Sequence, residues 1–77
     1  MDALANMGKE AIPALTEELK SKSPVARMGA VWALGLIGPD ANSCLPVLER
    51  LRTRVIEPNP YIREAARLAH DRIKPKK

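Results

Sequence analysis

In SPVARMGAVWALGLIG (Ser23–Gly38) a serine and a proline open a run that a glycine closes. Ser23 offers a capping oxygen, Pro24 takes the first helical position where its missing N–H costs nothing, and Gly38 can adopt the left-handed turn that ends a helix. NPYIREAARLAHDRIK (Asn59–Lys74) follows the same plan: a polar cap, Pro, two residues, then Arg. Arg27 and Arg63 stand 36 positions apart. On either side, ALANMG (3–8) matches ALGLIG (33–38) at a shift of 30, and AIPALTEEL (11–19) matches CLPVLERLR (44–52) at a shift of 33. The shifts differ because GPDANSCLP and RVIEPNP lengthen two connections, which is where insertions fall in repeated units. The chain therefore reads as about two and a half units of helix, turn and helix.

Five helices are expected, roughly 2–7, 9–21, 24–37, 41–56 and 60–73. Gly8 and Gly38 mark ends; Asp40 and the pair Asn42-Ser43 can cap the fourth helix; Pro13 and Pro46 are placed in first turns, where proline is tolerated. No segment alternates with the period of a strand.

The phrase S-P-V-A-R-M-G-A-V-W-A-L-G-L-I-G, followed after an insertion by C-L-P-V-L, resembles the HEAT-like repeat phrase D-P-x-V-R-x-x-A-x-x-A-L-G-x-I-G with its following A-I-P-x-L. The likeness is to the short bacterial type also found in phycobilisome lyases, and it spans nearly the whole chain. It implies an all-α, right-handed α-solenoid of two and a half repeats over 1–77, a single domain or a piece of a longer array. It also places Arg27 and Arg63 at the repeat arginine that braces neighbouring turns. The acid expected in the preceding turn is missing, since Ser21 and Ser23 stand before Arg27 and Asn59 before Arg63. No bilin-handling feature accompanies the repeats, so lyase activity is not implied.

At about 100° per residue, Ala26, Ala30, Ala33, Leu34 and Ile37 share the face of the third helix that repeat packing buries. Met28, Trp32 and Leu36 recur on the opposite side, and their counterparts in the last unit are Glu64, Leu68 and Arg72. Two readings of this stripe stand: cover by neighbouring helices, or a contact patch for a second copy or another protein. The second is expected, because aromatic and Met anchors are enriched in such patches. On the inner helices, Leu48, Leu51 and Val55 are expected inside, while Glu17, Arg50 and Arg54 are a solvated face or the wall of a ligand groove. A Glu17–Arg50 pair across that groove is one possibility the charges offer.

With 77 residues the chain makes one small domain, for which packing, pairing or array membership supplies the stability that disulfides cannot, Cys44 being the single cysteine. One Cys and one His cannot furnish a zinc set. Neither a phosphate loop nor a nucleophile constellation occurs, so no catalytic residue, cofactor or metal is expected. Cys44 matches Ala11 and reads as a small buried residue; His70 reads as surface or partly packed. A secretory leader and a membrane span are both missing from the pattern, and a cytoplasmic setting is expected. Thirteen Lys and Arg against nine Asp and Glu give a net charge of +4. That basicity, weighted to the second half and its KPKK tail (74–77), supports the alternative of a nucleic-acid-binding module, although aromatics for base stacking are scarce. The leading expectation is a non-catalytic protein-binding scaffold that associates with itself through Met28, Trp32 and Leu36.

Overall fold

The two cap-and-proline phrases begin two helices of equal length. The computed structural model describes residues 2–74, with side chains from Gly8 onward. Its α-helices are α1 (Asp2–Glu18), α2 (Pro24–Ile37), α3 (Leu45–Arg50) and α4 (Pro60–Ile73), and a 3-10 stretch, Gly38–Cys44, joins α2 to α3. Ser23 Oγ accepts the Ala26 N–H at 3.3 Å, and Asn59 Oδ1 accepts those of Tyr61 and Ile62 at 2.8 and 3.3 Å. α2 stops because Gly38 takes φ +82°, a conformation that L side chains resist, while its N–H still bonds the Leu34 carbonyl.

The expected count of five helices is corrected at two places. The break foreseen at Gly8 does not occur, and α1 runs on through it. A glycine inside a helix costs only about 1 kcal/mol, and Ile37 packs over this one, its Cγ1 an ordinary 3.4 Å from where a Cβ at Gly8 would stand. Pro13 consequently lies inside α1 rather than in a first turn. The foreseen helix over 41–56 is mostly not α-helical. Ala41 leaves helical geometry at φ −91° and ψ 20°. Beyond Arg50 the chain tightens into i→i+3 bonds, with Arg52 N–H to Glu49 and Thr53 N–H to Arg50. The Thr53 hydroxyl also donates to the Arg50 carbonyl at 2.7 Å, and the β-branched Thr53, Val55 and Ile56 favour leaving the helix. Val55, expected inside, is 92% exposed on that turn.

α2 and α4 pack along one another; α1 leans on α2 and α3 on α4, while the 3-10 stretch touches all of them. The core lies at this junction, with Val31, Leu34, Leu48, Ile62, Ala66 and Ile73 all out of water. The buried side of α2 is Ala30, Val31, Leu34 and Gly35. Ala26, Ala33 and Ile37, expected there, are half-buried. The sector is rotated because α4 presses on the Val31–Gly35 side while α1 and the connection take the other. Gly35 is what permits the approach: a Cβ there would come within 3.3 Å of the Ala69 Cβ.

The two glycines of α2 should therefore respond oppositely to substitution. At Gly29 a Cβ would meet nothing within 4 Å, so Gly29→Ala should stabilise the fold by about 0.5–1 kcal/mol. Gly35→Val should cost about 1–3 kcal/mol by wedging α2 from α4. Urea unfolding of both variants checks this, and equal effects would contradict the packing described.

Candidate functional site

Arg27 leaves the first turn of α2 and closes a fork on Glu57, Nε to Oε1 at 2.6 Å and Nη2 to Oε2 at 3.0 Å. Its third nitrogen donates to the Ser21 carbonyl at 2.9 Å. Glu57 has no exposed surface and accepts one more bond, from the Asn59 N–H at 3.0 Å. Arg63 repeats part of this pattern, donating to the carbonyls of Glu57 at 2.8 Å and Pro58 at 3.0 Å. Each arginine thus reaches the carbonyl six residues upstream, Ser21 and Glu57 being the same place in successive units. The acid sought before Arg27 stands in the next unit's turn, 30 residues downstream. Burial pushes the Glu57 carboxyl up, but the bonds from Arg27 and the Asn59 N–H, with the charges of Arg27 and Arg63, outweigh it and hold the group below its ordinary 4.5.

Of the α2 stripe, Trp32 is 56% and Leu36 73% exposed, whereas Met28 is half-buried against the core. Met28 turns inward because the face centres on Val25, Gly29, Trp32 and Leu36, at helical spacing. Leu68 of α4 borders the same shallow depression as Trp32 and Leu36. Further along the two helices Val25 and Tyr61, 82% and 77% exposed, flank a second one. Val25 and Tyr61, like Trp32 and Leu68, are 36 apart, so equivalent positions on adjacent helices form one apolar face. Matching the stripe to Glu64, Leu68 and Arg72 brings out Leu68 but not Tyr61; the i+7 spacing from Tyr61 to Leu68 is the signal for the rest of the face. Ala65, one turn before Leu68 on α4, is buried.

Among the described residues no ion pair joins the foreseen groove residues. Glu17 lies 3.8 Å from Lys20 rather than on Arg50, and Arg54 projects from the exposed turn after α3. Arg50 borders a cleft at the end of α1. His70 is more deeply packed than expected, at 7% exposure, with Nε2 3.1 Å from Glu49 Oε2 and Nδ1 without a partner. Its burial comes from α3, an element the sequence pattern placed too loosely to show it. Cys44 is buried, its Sγ 3.1 Å from Thr16 Oγ1.

Several of the second-half cations have intramolecular partners. Arg67 pairs with Glu64 and, at 3.8 Å, with Asp71; Arg72 Nε donates to the Gly35 carbonyl at 3.2 Å. Lys76 and Lys77 lie outside the described residues. Among the described residues no three metal-ligating side chains gather, and no helix is long and apolar enough to cross a membrane.

Compared with known families, residues 1–71 match the family described as HEAT repeats. Neither the curated proteins nor the solved structures give a match.

Glu57→Gln should lower stability at neutral pH by roughly 3 kcal/mol, because it leaves the largely buried Arg27 without its counter-charge. The wild-type carboxyl titrates below 4.5 in the folded state, so its contribution is complete above that pH and lost as pH falls through the folded value. Melting curves of the two proteins should therefore be well separated at neutral pH and converge in acid. A constant gap in Tm would exclude this role for Glu57.

Proposed function

Since the chain belongs to the HEAT-repeat family, we propose that it is a short α-solenoid of two and a half repeats acting as a non-catalytic protein-binding scaffold, and that it associates with itself. Repeats of this family commonly mediate contacts between proteins. The observation that carries the reading is the apolar face of α2 and α4: Trp32 and Leu36 in water beside Leu68, continued by Val25 and Tyr61. Large side chains held in water on two adjacent helices gain about 25 cal/mol for each Å2 of apolar surface that a partner covers. A second copy offers the same hydrocarbon, and a two-fold pairing covers both faces at once.

Met28 packs against the core and also borders the depression between Val25 and Tyr61, where it adds to the same face. Arg27 and Arg63 serve the fold by tying the turns between helices. The alternative of nucleic-acid binding has less support, since Arg63, Arg67 and Arg72 all have partners within the chain.

Sedimentation equilibrium in high salt should find a dimer, and Trp32→Glu should weaken it by about thirtyfold or more, the loss of a hot spot worth ~2 kcal/mol. Circular dichroism of the variant should keep its helical signal. A monomeric wild type at all concentrations would refute self-association, and an unfolded variant would return Trp32 to the core.

A further inference from the structure

A second surface shares no lining residue with the Trp32 face. It is a cleft of about 500 Å3 where the end of α1, the start of α2 and the exit from α3 meet. Its floor is hydrocarbon: Leu19 and Leu51 are buried at the base, and Val47, Ile56 and Pro58 form the walls. The rim is cationic, made by Lys20, Lys22, Arg27 and Arg50, and no carboxylate lines it.

These cations are not equally free. Arg27 is held by Glu57, and Lys20 lies 3.8 Å from Glu17 with both side chains mostly in water. Lys22 and Arg50 form no ion pair among the described residues. Beside them Ile56 stands 47% exposed, although the turn that carries it could have presented a polar side chain without disturbing the core. Two unpaired positive charges therefore frame a strip of exposed hydrocarbon.

We propose that this cleft binds an acidic, apolar peptide segment of a partner protein, with carboxylates at Lys22 and Arg50 and an aliphatic side chain between them over Ile56 and Pro58. The charges give direction and selectivity, while the covered hydrocarbon supplies the part of the affinity that salt does not screen. A nucleic acid fits less well. The chain has one Trp and one Tyr and no Phe, and both aromatics lie on the α2 and α4 face, away from the cleft, so no base can stack there. This inference is independent of self-association, because the two surfaces are separate.

The test is a nitrogen-15 amide titration of the full chain with the blocked hexapeptide DELLED. The controls are its analogue DEGGED, of equal charge, and a short oligothymidylate. The expected result is saturable shifts at Lys22, Leu51 and Ile56, with DEGGED at least tenfold weaker. The double variant Lys22→Gln/Arg50→Gln should lose at least tenfold in affinity for DELLED. Both substitutions are on exposed side chains, and an unchanged circular dichroism spectrum shows the fold intact. Ile56→Ser, also exposed, is the second variant and should weaken DELLED but leave the residual binding of DEGGED unaltered. The proposal is overturned if DELLED gives no saturable shifts in the cleft at millimolar concentration, or if its shifts map to Trp32 and Leu68. Equal binding of DEGGED, or tighter binding of the oligonucleotide at the same residues, overturns it as well.

Discussion

Arg27 and Glu57 meet across 30 residues of chain, and the relation of the two full units depends on that contact. A carboxylate with no exposed surface is costly unless every lone pair is engaged, and here the Arg27 fork and the Asn59 N–H engage it. Asn59 also caps α4, while Arg27 holds the Ser21 carbonyl at the exit from α1. One ionic contact therefore ties together the end of one helix and the beginnings of two others. At the far end of the pair, Arg72 donates to the Gly35 carbonyl, and the bare Cα of Gly35 lets α4 come close. α4 is held to α2 at both ends, with apolar packing between.

That register has a consequence at the surface. Because equivalent turns lie side by side, equivalent residues lie side by side too, so Val25 meets the level of Tyr61 and Trp32 that of Leu68. Single apolar residues on a small protein are ordinary, but a ladder of them on adjacent helices is not. The same register sends the basic side chains at the end of α1 and the exit from α3 to a different place, around the cleft of Lys22 and Arg50. Two surfaces of unlike chemistry thus follow from one alignment of repeats.

Much of this was legible because it is local. Ser23-Pro24, Asn59-Pro60 and Gly38 write the limits of α2 and α4 within a few residues, and the 36-residue spacing announces that the two helices are copies. What was not legible depends on who meets whom. Glu57 escapes a pattern confined to one unit, because the clamp spans two. Gly8 carries the same letter as Gly38, yet one sits inside a helix against Ile37 and the other ends one; only the neighbours distinguish them. Val31 belongs to the buried sector and Ala33 to its edge because α4 approaches from one side, a direction that helical periodicity alone does not contain. The stretch 41–56 misled for a different reason: its apolar spacing is helical, but Thr53 and the β-branched residues after it draw the backbone into turns.

The repeat comparison also bears on how such a unit grows. Val31 and Gly35 are the places on α2 that α4 covers, and 36 residues on they become Arg67 and Asp71. Both are exposed, joined with Glu64 in a network of surface charge. A further helix laid against that side of α4 would have to take three charges out of water and break their pairing, with little hydrocarbon gained in return. The outer face has a different balance, since Trp32, Leu36 and Leu68 hold apolar surface in water and charge, from Asp71, Arg72 and Lys74, borders it at one end. Hydrocarbon gained against charge desolvated favours the face of the helices over the edge of the array, and for that reason the arrangement we propose is self-pairing through α2 and α4 and not end-to-end stacking on α4.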